Sequence, residues 1–271
     1  FVYVLVNHNL RKNSKTEANQ VKKLLKKSKI NLYILDNKSE IKSNIQAEAR
    51  NIRYELLKKF CIKKKLNTII TAHNLEDQVE TFFIRLSRGS GLTGLSSMKT
   101  FSKIHGQISL FRPLLDTKKK ILIKISKKTF GKFFKDPSNK NKKYLRTKIR
   151  NLKKPLEKSG IDYNQIFKSI NNLASSKAIL DEHYLNIVNN VIIHSNNQIL
   201  INISKFKNLK NELKLRLIND CIKRIKKNYY GLRSKKVQLL VDNLEKKEFN
   251  KATLGGCIFS KKKDNIKLKK E

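Results

Sequence analysis

Residues 68–86 read TIITAHNLEDQVETFFIRL, and this stretch decides the fold. Its first five residues, Thr68–Ala72, are mostly β-branched and predict a short buried strand. The following residues, Leu75–Leu86, have apolar side chains at helical spacing and predict an amphipathic helix. A strand that leads directly into a helix is half of a βαβ unit, and such units build parallel sheets.

The same alternation extends toward the N-terminus. Short apolar runs at residues 1–6 and 30–35 predict two further strands. Between them, Ser14 and Glu17 have the spacing of a capping box and predict the start of a helix. A longer helix, with Asn44 as its N-cap, is predicted to lead into the strand described above. The sequence therefore predicts an α/β fold whose parallel sheet binds ligands at the carboxyl ends of its strands.

After about residue 110 the alternation of strands and helices stops. Apolar residues in the ranges 164–191 and 209–225 recur every three or four positions, which predicts long helices. We therefore expect two domains. A parallel-sheet domain covers residues 1–155, and a mostly α-helical domain covers residues 156–271.

Positive charge dominates the composition of the chain. Its 271 residues include 62 Lys and Arg against 21 Asp and Glu, which gives a formal net charge of +41. Such an excess predicts an anionic partner, and nucleic acid is the first class to consider. Part of the excess also fits a compositional preference for Lys, Asn and Ile, so some lysines are expected to lie outside any binding surface.

Cysteine usage and hydropathy exclude several classes of protein. Cys61, Cys221 and Cys257 are far apart and form no CxxC pair, which argues against a disulfide framework and against a cysteine-built metal site. A reducing compartment, the cytoplasm, is expected. No apolar run approaches the roughly 20 residues that a membrane-spanning helix needs, so no membrane partner is expected.

Acidic residues cluster where the third predicted strand meets its helix. Glu76, Asp77 and Glu80 lie within five positions, and the spacing places them on neighbouring turns of one helix surface. Carboxylates at the carboxyl end of a strand can bind a cation, either Mg²⁺ or an amine. The alternative is a structural role, because negative charge at a helix start is favoured by the helix dipole.

A glycine-rich loop, Arg88-Gly89-Ser90-Gly91, follows the same helix. Backbone N–H groups in such a loop, together with an adjoining guanidinium, can bind phosphate. The alternative interpretation is a simple turn, because glycine-rich segments also serve that purpose.

Three basic residues nearer the N-terminus are further candidates. His8 follows the first predicted strand and is either a ligand contact or a structural side chain. Arg50 and Arg53 lie in the second predicted helix of a chain that otherwise favours Lys. The planar guanidinium binds phosphate and carboxylate groups in a way that Lys does not, which favours a binding role over a solvated helix face.

These features occur in an order that resembles the tRNA(Ile)-lysidine synthases, a family of PP-loop (N-type ATP pyrophosphatase) enzymes. The resemblance covers residues 2–155. Its motifs are VNHNLR at 6–11, NIQAEAR at 44–50 with Arg53 and Tyr54, TAHNLEDQVET at 71–81, Arg85, RGSG at 88–91 with Gly94 and Leu95, and DPSN at 136–139 with Tyr144, Arg146 and Arg150.

The resemblance implies a PP-loop domain followed by a helical domain, and a reaction that consumes ATP. In that family, C2 of the wobble cytidine in tRNA(Ile) with a CAU anticodon is activated by adenylylation. The amine of free L-lysine then displaces AMP. ATP and Mg²⁺ are the implied cofactors.

The resemblance also implies roles for the acidic cluster. Asp77 and Glu80 are implied to be catalytic residues that bind lysine, and Asp77 is also the implied metal ligand. Asn74 stands where the family usually has His, and Glu76 where it usually has Asp. Because an amide cannot act as a general base, Asn74 is not expected to take part in proton transfer.

The other implied roles concern the nucleotide and the substrates. The implied nucleotide-binding residues are His8, Arg88, Gly89 and Ser90. The implied substrate-binding residues are Arg50, Arg53 and His73.

The family's phosphate-binding signature, Ser-Gly-Gly-x-Asp-Ser, does not occur in this sequence. In the family it follows a strand that precedes the one at residues 1–6. Since the chain opens with Phe1 inside a strand-like run, we expect further sequence upstream of this residue.

Two other functions fit the same residues less closely. One is a different PP-loop tRNA-modifying enzyme, such as a cytidine thiolase, although three scattered cysteines count against it. The other is a basic RNA-binding protein without enzymatic activity. The sequence leaves open whether the protein is a monomer or a homodimer.

Overall fold

The structure is a computed structural model, and it describes residues 1–41, 45–134, 145–195, 198–226 and 234–271. Its contacts divide the chain into two compact units, Phe1–Ala174 and Ser175–Glu271. The division falls inside a long helix, and the domain boundary at residues 155–156 stays a prediction. Among the described residues, no helix is both long and apolar enough to cross a membrane.

The first unit opens with a βαβ pattern of the kind that the sequence predicts. Strands β1 (Tyr3–Asn7) and β2 (Leu32–Asp36) pair in parallel, and helix α1 (Ser14–Lys27) connects them. Because two parallel strands cannot be joined by a tight turn, the crossover helix is required by the topology.

The predicted capping box at Ser14 is wrong. Asn13 is the N-cap residue of α1, its side chain makes no capping hydrogen bond, and Ser14 is already the first helical residue. The carboxylate of Glu17 instead accepts a hydrogen bond from the Arg11 guanidinium at 3.0 Å. A charged partner next to the helix start therefore outcompetes the backbone amide that the capping box requires.

The next elements are α2 (Ile45–Lys63), β3 (Thr68–Ile70), α3 (Leu75–Leu86) and the short α4 (Leu92–Leu95). Helix α3 has the bounds that the sequence predicts. The proposed cap of α2, Asn44, lies outside the described residues. Helix α2 packs against both β1 and β3, which belong to two separate sheets.

A hairpin that the sequence did not predict completes the sheet that contains β3. Strands β4 (Phe101–His105) and β5 (Ile108–Phe111) are antiparallel, and β5 also pairs with β3 in parallel. Gly106 turns the chain between them with φ +52°, a conformation that glycine adopts without strain. The predicted parallel α/β architecture is confirmed, with this antiparallel edge added.

Helices complete the first unit. They are α5 (Lys119–Phe130), α6 (Leu145–Asn151), α7 (Lys153–Lys158) and the first part of α8 (Tyr163–Val191). Leu75 and Val79 of α3 pack against Tyr163 and Ile170 of α8 in one buried cluster. The sequence motif at 136–139 and Tyr144 lie outside the described residues.

The second unit contains more β-structure than the sequence predicts. Besides the rest of α8 it has helices α9 (Ile203–Lys207), α10 (Asn211–Ile225) and α11 (Ser234–Leu244). It also has strands β6 (Ile192–Ser195), β7 (Gln198–Asn202), β8 (Lys251–Leu254), β9 (Cys257–Lys262) and β10 (Asn265–Lys270). These strands form one antiparallel sheet in the order β6-β7-β10-β9-β8. The predicted helical character of the C-terminal region is confirmed, and the sheet is an addition to it.

The sheet buries one face against the helices of the same unit. Phe259, Ile266 and Leu268 are fully buried and join the core that α10 and α11 contribute to. Ser260 is next to Phe259 on the same strand, and its side chain is on the opposite face because successive side chains alternate. The two residues therefore offer a test of which face of the sheet is the core.

We predict that Phe259→Ala lowers the free energy of unfolding by about 3–5 kcal/mol, because it opens a cavity in the core. Ser260→Ala, as the matched control, should change it by less than about 0.5 kcal/mol. Urea denaturation of both variants measures the two shifts. Equal shifts would contradict the assignment of the buried face.

Candidate active site

The acidic cluster lies at the start of α3, where the chain leaves the carboxyl end of β3. Asn74 is the N-cap, and its side-chain oxygen accepts a hydrogen bond from the Asp77 backbone N–H at 3.1 Å. In return, Asp77 Oδ2 accepts from the Asn74 backbone N–H at 3.1 Å. This capping box gives Asn74 a structural role, and it leaves Asp77 Oδ1 outside the cap.

Glu80 is the most deeply buried member of the cluster, with 3% of its surface exposed. Its Oε1 accepts a hydrogen bond from Arg150 Nε at 2.6 Å, and its Oε2 accepts from Arg146 Nε at 2.9 Å. Asp77 Oδ1 lies 3.9 Å from the same Arg150. The structure therefore brings Asp77 and Glu80 together, around arginines that come from α6.

Glu76 points to other partners. Its Oε2 accepts a hydrogen bond from the Lys119 backbone N–H at 2.8 Å, and its Oε1 lies 3.4 Å from Lys153 Nζ. Lys119 is the first residue of α5 and Lys153 is the first residue of α7. Glu76 thus fixes two helix starts, which explains why a carboxylate is favoured here without any ligand.

His73 precedes the cluster and is a neutral side chain. Burial lowers the pKa of its imidazole to about 4, and the nearby charges of Arg112, Arg50 and Arg146 also lower it, while Asp77 opposes the shift. Its Nδ1 lies within hydrogen-bond distance of the Thr71 hydroxyl, at 2.8 Å. The ring can therefore donate or accept a hydrogen bond near neutral pH without carrying charge.

Arg50 and Arg53 of α2 lie in the same electrostatic neighbourhood. Burial lowers the pKa of Arg53, and the positive charges of Arg50 and Arg146 lower it further. Arg50 stacks over the Tyr54 ring at 5.0 Å. Within the described part of the chain, neither Arg50 nor Arg53 has a carboxylate within ion-pair distance. Positive charge gathered without a counter-charge suits an anionic ligand.

His8 lies at the carboxyl end of β1, and its side chain is a further candidate for ligand binding. Both of its ring nitrogens are buried and have no hydrogen-bond partner in the described part of the chain. Burial lowers the pKa of His8, and the charge of Arg53 lowers it further, which places these two side chains near each other. Because buried polar atoms are nearly always paired in folded proteins, this imidazole, without a partner among the described residues, is a candidate ligand contact.

The strand end that carries His8 is held by asparagines that the sequence analysis missed. Asn7 Nδ2 donates to Asp36 Oδ1 of β2 at 2.8 Å and to Asn9 Oδ1 at 2.7 Å. Asn9 has φ +53° and donates to the Asn37 carbonyl at 2.8 Å. These bonds connect the carboxyl ends of β1 and β2. The αL tendency of Asn was the signal that could have revealed this turn.

The glycine-rich loop lies at the other end of α3. Since α3 has 12 residues, its length separates Arg88, Gly89 and Ser90 from the acidic cluster by roughly 18 Å. Gly89 has φ +66°, and the Ser90 backbone N–H donates to the Arg85 carbonyl at 3.1 Å. The structure thus gives these three residues the contacts of a helix-ending turn and does not bring them to Asp77.

Side chains of α3 fix the segment that follows this turn. The Arg85 guanidinium donates to the carbonyls of Gly94 at 2.6 Å and Ser97 at 3.0 Å. A side chain at Gly94 would put its Cβ 2.5 Å from the Cβ of Ser90, so glycine is required for this close approach. Gln78 bonds to both backbone groups of Met98 at 2.8 Å. Gln78 and Arg85 therefore hold residues 94–98 in place.

Parallel βα units with polar side chains at the carboxyl ends of their strands are typical of nucleotide-binding α/β domains. Residues 1–156 match the PP-loop domain family. The chain therefore belongs to the PP-loop family, as the motifs indicate.

The chain is similar over its whole length to curated proteins of known name. It is 35% identical over 276 residues to the tRNA(Ile)-lysidine synthase of Wolbachia pipientis wMel, which covers 100% of this chain and 63% of that protein. It is 30% identical over 276 residues to the tRNA(Ile)-lysidine synthase of Rickettsia typhi, with 99% and 62% covered. The chain thus spans a little under two thirds of the length of these relatives.

Among solved structures, the chain is similar in fold to the U34-tRNA thiolase NcsA from Methanococcus maripaludis with its 4Fe-4S cluster. The TM-score is 0.52 and the sequence identity 17%, and the match covers 64% of this chain and 61% of that chain. At this identity the likeness establishes the fold and nothing about the reaction.

We predict that the His73 imidazole stays neutral until the pH falls to about 4, because burial opposes its protonation. The unfolded chain binds this proton near pH 6.5, so the contribution of His73 to the free energy of unfolding should decrease as the pH falls from 6.5 toward 4. Imidazole NMR resonances followed against pH measure the titration. Titration of His73 near pH 6.5 would contradict the prediction.

Proposed function

We propose that this protein attaches free L-lysine to C2 of the wobble cytidine in tRNA(Ile) with a CAU anticodon, using ATP, in the cytoplasm. The cytidine carbonyl oxygen attacks the α-phosphate of ATP and pyrophosphate leaves. The lysine amine then attacks C2, and AMP leaves with the oxygen. The relatives that match the whole chain are named for this product, and the PP-loop family supports the use of ATP.

One structural observation supports the proposal: His8 and the acidic cluster each follow the carboxyl end of a parallel strand, β1 and β3, and the arginine-bearing helix α2 packs against both strands. In the described part of the chain, Arg50 and Arg53 supply positive charge with no carboxylate within ion-pair distance, and His8 supplies two buried ring nitrogens without a hydrogen-bond partner. The charge of Asp77 raises the pKa of His73, and the charges of Arg50 and Arg146 lower it. A polyanionic nucleotide and a cationic amino acid need this combination of opposite charges.

Arg50, Arg53 and His8 are the residues that we assign to phosphate binding. A guanidinium can bind two phosphate oxygens at once, and Arg50 is held in orientation by the Tyr54 ring. The neutral imidazole of His8 can donate one N–H to a phosphate or ribose oxygen. We assign the uncharged His73 to contact with the substrate base or ribose. The resemblance also implies nucleotide contacts for Arg88, Gly89 and Ser90, but these residues lie beyond the far end of α3.

Asp77 is the carboxylate that we assign to the amine. Its Oδ1 makes no capping bond, its side chain is 19% exposed, and its ion-pair partner among the described residues, Arg150, lies 3.9 Å away. Both oxygens of Glu80 accept hydrogen bonds from arginines at shorter distances. We therefore propose that Asp77 contacts the lysine ammonium and that Glu80 acts by positioning Arg146 and Arg150.

Mg²⁺ fits this site only if substrate phosphates and water supply most of its ligands. Among the described residues there is no group of three metal-ligating side chains, so a cage built by protein ligands alone is not present there. Mg²⁺ commonly uses one or two carboxylates together with substrate phosphates and water. Asp77 Oδ1 would supply that carboxylate, and the ion would neutralise part of the phosphate charge.

A thiolase reaction is less well supported. Cys61 is buried near β3 and β5, whereas Cys221 and Cys257 belong to the core of the second unit. Burial raises the pKa of all three thiols, which disfavours the reactive thiolate. An RNA-binding protein without activity would need the basic surface but would give no reason for the orphaned His8 ring beside Arg53.

We predict that Asp77→Asn lowers lysidine formation by about 100-fold, because it removes the charge that pairs with the ammonium group. Asparagine can still accept the capping hydrogen bond from the Asn74 backbone, so the helix start should persist. The measurement is mass spectrometry of nucleosides from tRNA(Ile) after reaction with ATP and lysine. The assay uses the full protein, including any residues that the reading frame encodes upstream of Phe1.

Asp116→Asn is the matched control for this prediction, since Asp116 is exposed and outside the cluster. It should leave turnover unchanged, and both variants should bind tRNA like the wild-type protein. Normal turnover by Asp77→Asn would mean that Asp77 only caps its helix. A wild-type protein that makes no lysidine would refute the proposed function itself.

We predict that tRNA binding weakens steeply with salt, because Lys and Arg dominate the charge of the chain. A plot of log K against log salt concentration should be linear, with a slope of about −0.7 to −0.9 for each phosphate contacted. Filter binding between about 50 and 200 mM salt measures this slope. An affinity that does not change over this range would contradict a nucleic-acid substrate.

A further inference from the structure

One face of the sheet in the second unit is rich in lysine. Phe259, Ile266 and Leu268 point into the core, and α10 and α11 pack against β10 and β8. Because side chains alternate along a strand, the neighbouring residues point away from that core. We call the outward-pointing lysines of β8, β9 and β10 the outer lysine face; its members are Lys251, Lys262, Lys267 and Lys269.

The strand register places these lysines close together. Lys251 and Lys267 are both paired with Ser260, so they lie in one row on either side of β9. With strands about 4.8 Å apart, their backbones are separated by roughly 10 Å. Lys269 is two residues beyond Lys267 on the same strand, at roughly 7 Å. Four positive charges therefore share one small surface.

The other outward positions of strands β7 to β10 carry no acidic residue. They are Gln198, Leu200, Asn202, Thr253, Ile258, Ser260 and Asn265. The acidic residues nearest this face in sequence, Asp264 and Glu271, lie in the β9–β10 turn and at the C-terminus. The charge of the outer lysine face is thus not neutralised by its own sheet.

The helices of the same unit differ in this respect. Asp181 pairs with Lys177 of its own helix and with Arg216 of α10. Glu245 lies 2.5 Å from the buried Lys214. Some cations of the helices thus form ion pairs within the unit. None of the four lysines of the outer lysine face has an ion-pair partner in the described part of the chain.

We propose that the outer lysine face binds the phosphate backbone of the tRNA substrate. This inference rests on the proposed function and adds to it the surface that holds the RNA away from the reacting base. Outward positions on β7 to β10 include no aromatic side chain on which a base could stack. The surface should therefore recognise the backbone of a folded RNA, with little dependence on sequence.

The test compares two fourfold variants of the full chain that remove the same charge from the second unit. The first carries K251Q, K262Q, K267Q and K269Q. The second is the matched control and carries K207Q, K210Q, K223Q and K235Q, four exposed lysines at helical positions or a helix start. Binding of tRNA(Ile) is measured at several salt concentrations, and thermal unfolding checks that both variants are folded.

We predict that the slope of log K against log salt becomes shallower by about 3 in the first variant, since each lost phosphate contact contributes about 0.7 to 0.9. The control should change the slope by less than about 1. At saturating tRNA the first variant should keep its turnover for lysidine, so its defect lies in KM for tRNA.

The outcomes separate this inference from the proposed function. Wild-type protein that binds tRNA, together with equal changes in both variants or no change in the first, would refute the outer lysine face alone. Loss of turnover at saturating tRNA in the first variant would also refute it, because a docking surface does not act on chemistry. Wild-type protein that fails to bind tRNA would refute both.

Discussion

The structure depends on how the buried carboxylate of Glu80, in the middle of α3, is neutralised. Glu80 is 3% exposed, and an unpaired charge in such a position would cost several kcal/mol. It is stabilised by hydrogen bonds from Arg146 and Arg150, both of which belong to α6. The same two bonds therefore satisfy the charge and hold α6 against α3. Removing either partner should be more harmful than the net contribution of the pair suggests.

This pairing also explains the distribution of charge around the strand ends. Among the described residues, cations from α6 and α7 pair with Glu76 and Glu80 of α3, whereas Asp77 Oδ1 lies 3.9 Å from Arg150. The arginines of α2 remain without counter-charge in the described residues, and they lie beside the orphaned ring of His8. Cations of α2 without a carboxylate in ion-pair distance and a partly exposed Asp77 carboxylate are the two kinds of charge that we propose bind the nucleotide and the amine.

The sequence predicted those features of the fold that depend on residues close together in the chain. The bounds of α3 and its acidic start follow from the strand and helix signals in residues 68–86. The partners of Glu80 are 66 and 70 residues away in the sequence, so no local pattern could reveal that Arg146 and Arg150 neutralise it. The capping box at Ser14 failed for a related reason, because Arg11 provides Glu17 with a charged partner. The sheet of the second unit was missed although Ile266 and Leu268 alternate with lysine, since each strand is only four to six residues long.

A double-mutant cycle on Glu80 and Arg150 tests the central claim most directly. The free energies of unfolding of E80Q, R150Q and the double variant give the coupling between the two side chains. The pair Glu55–Lys58, at 3.7 Å and with the Glu55 side chain 62% exposed, is the control and should couple by less than about 0.5 kcal/mol. A coupling of about 1–3 kcal/mol between Glu80 and Arg150 is the predicted result. A coupling as small as that of the control would show that Glu80 does not hold α6 in place.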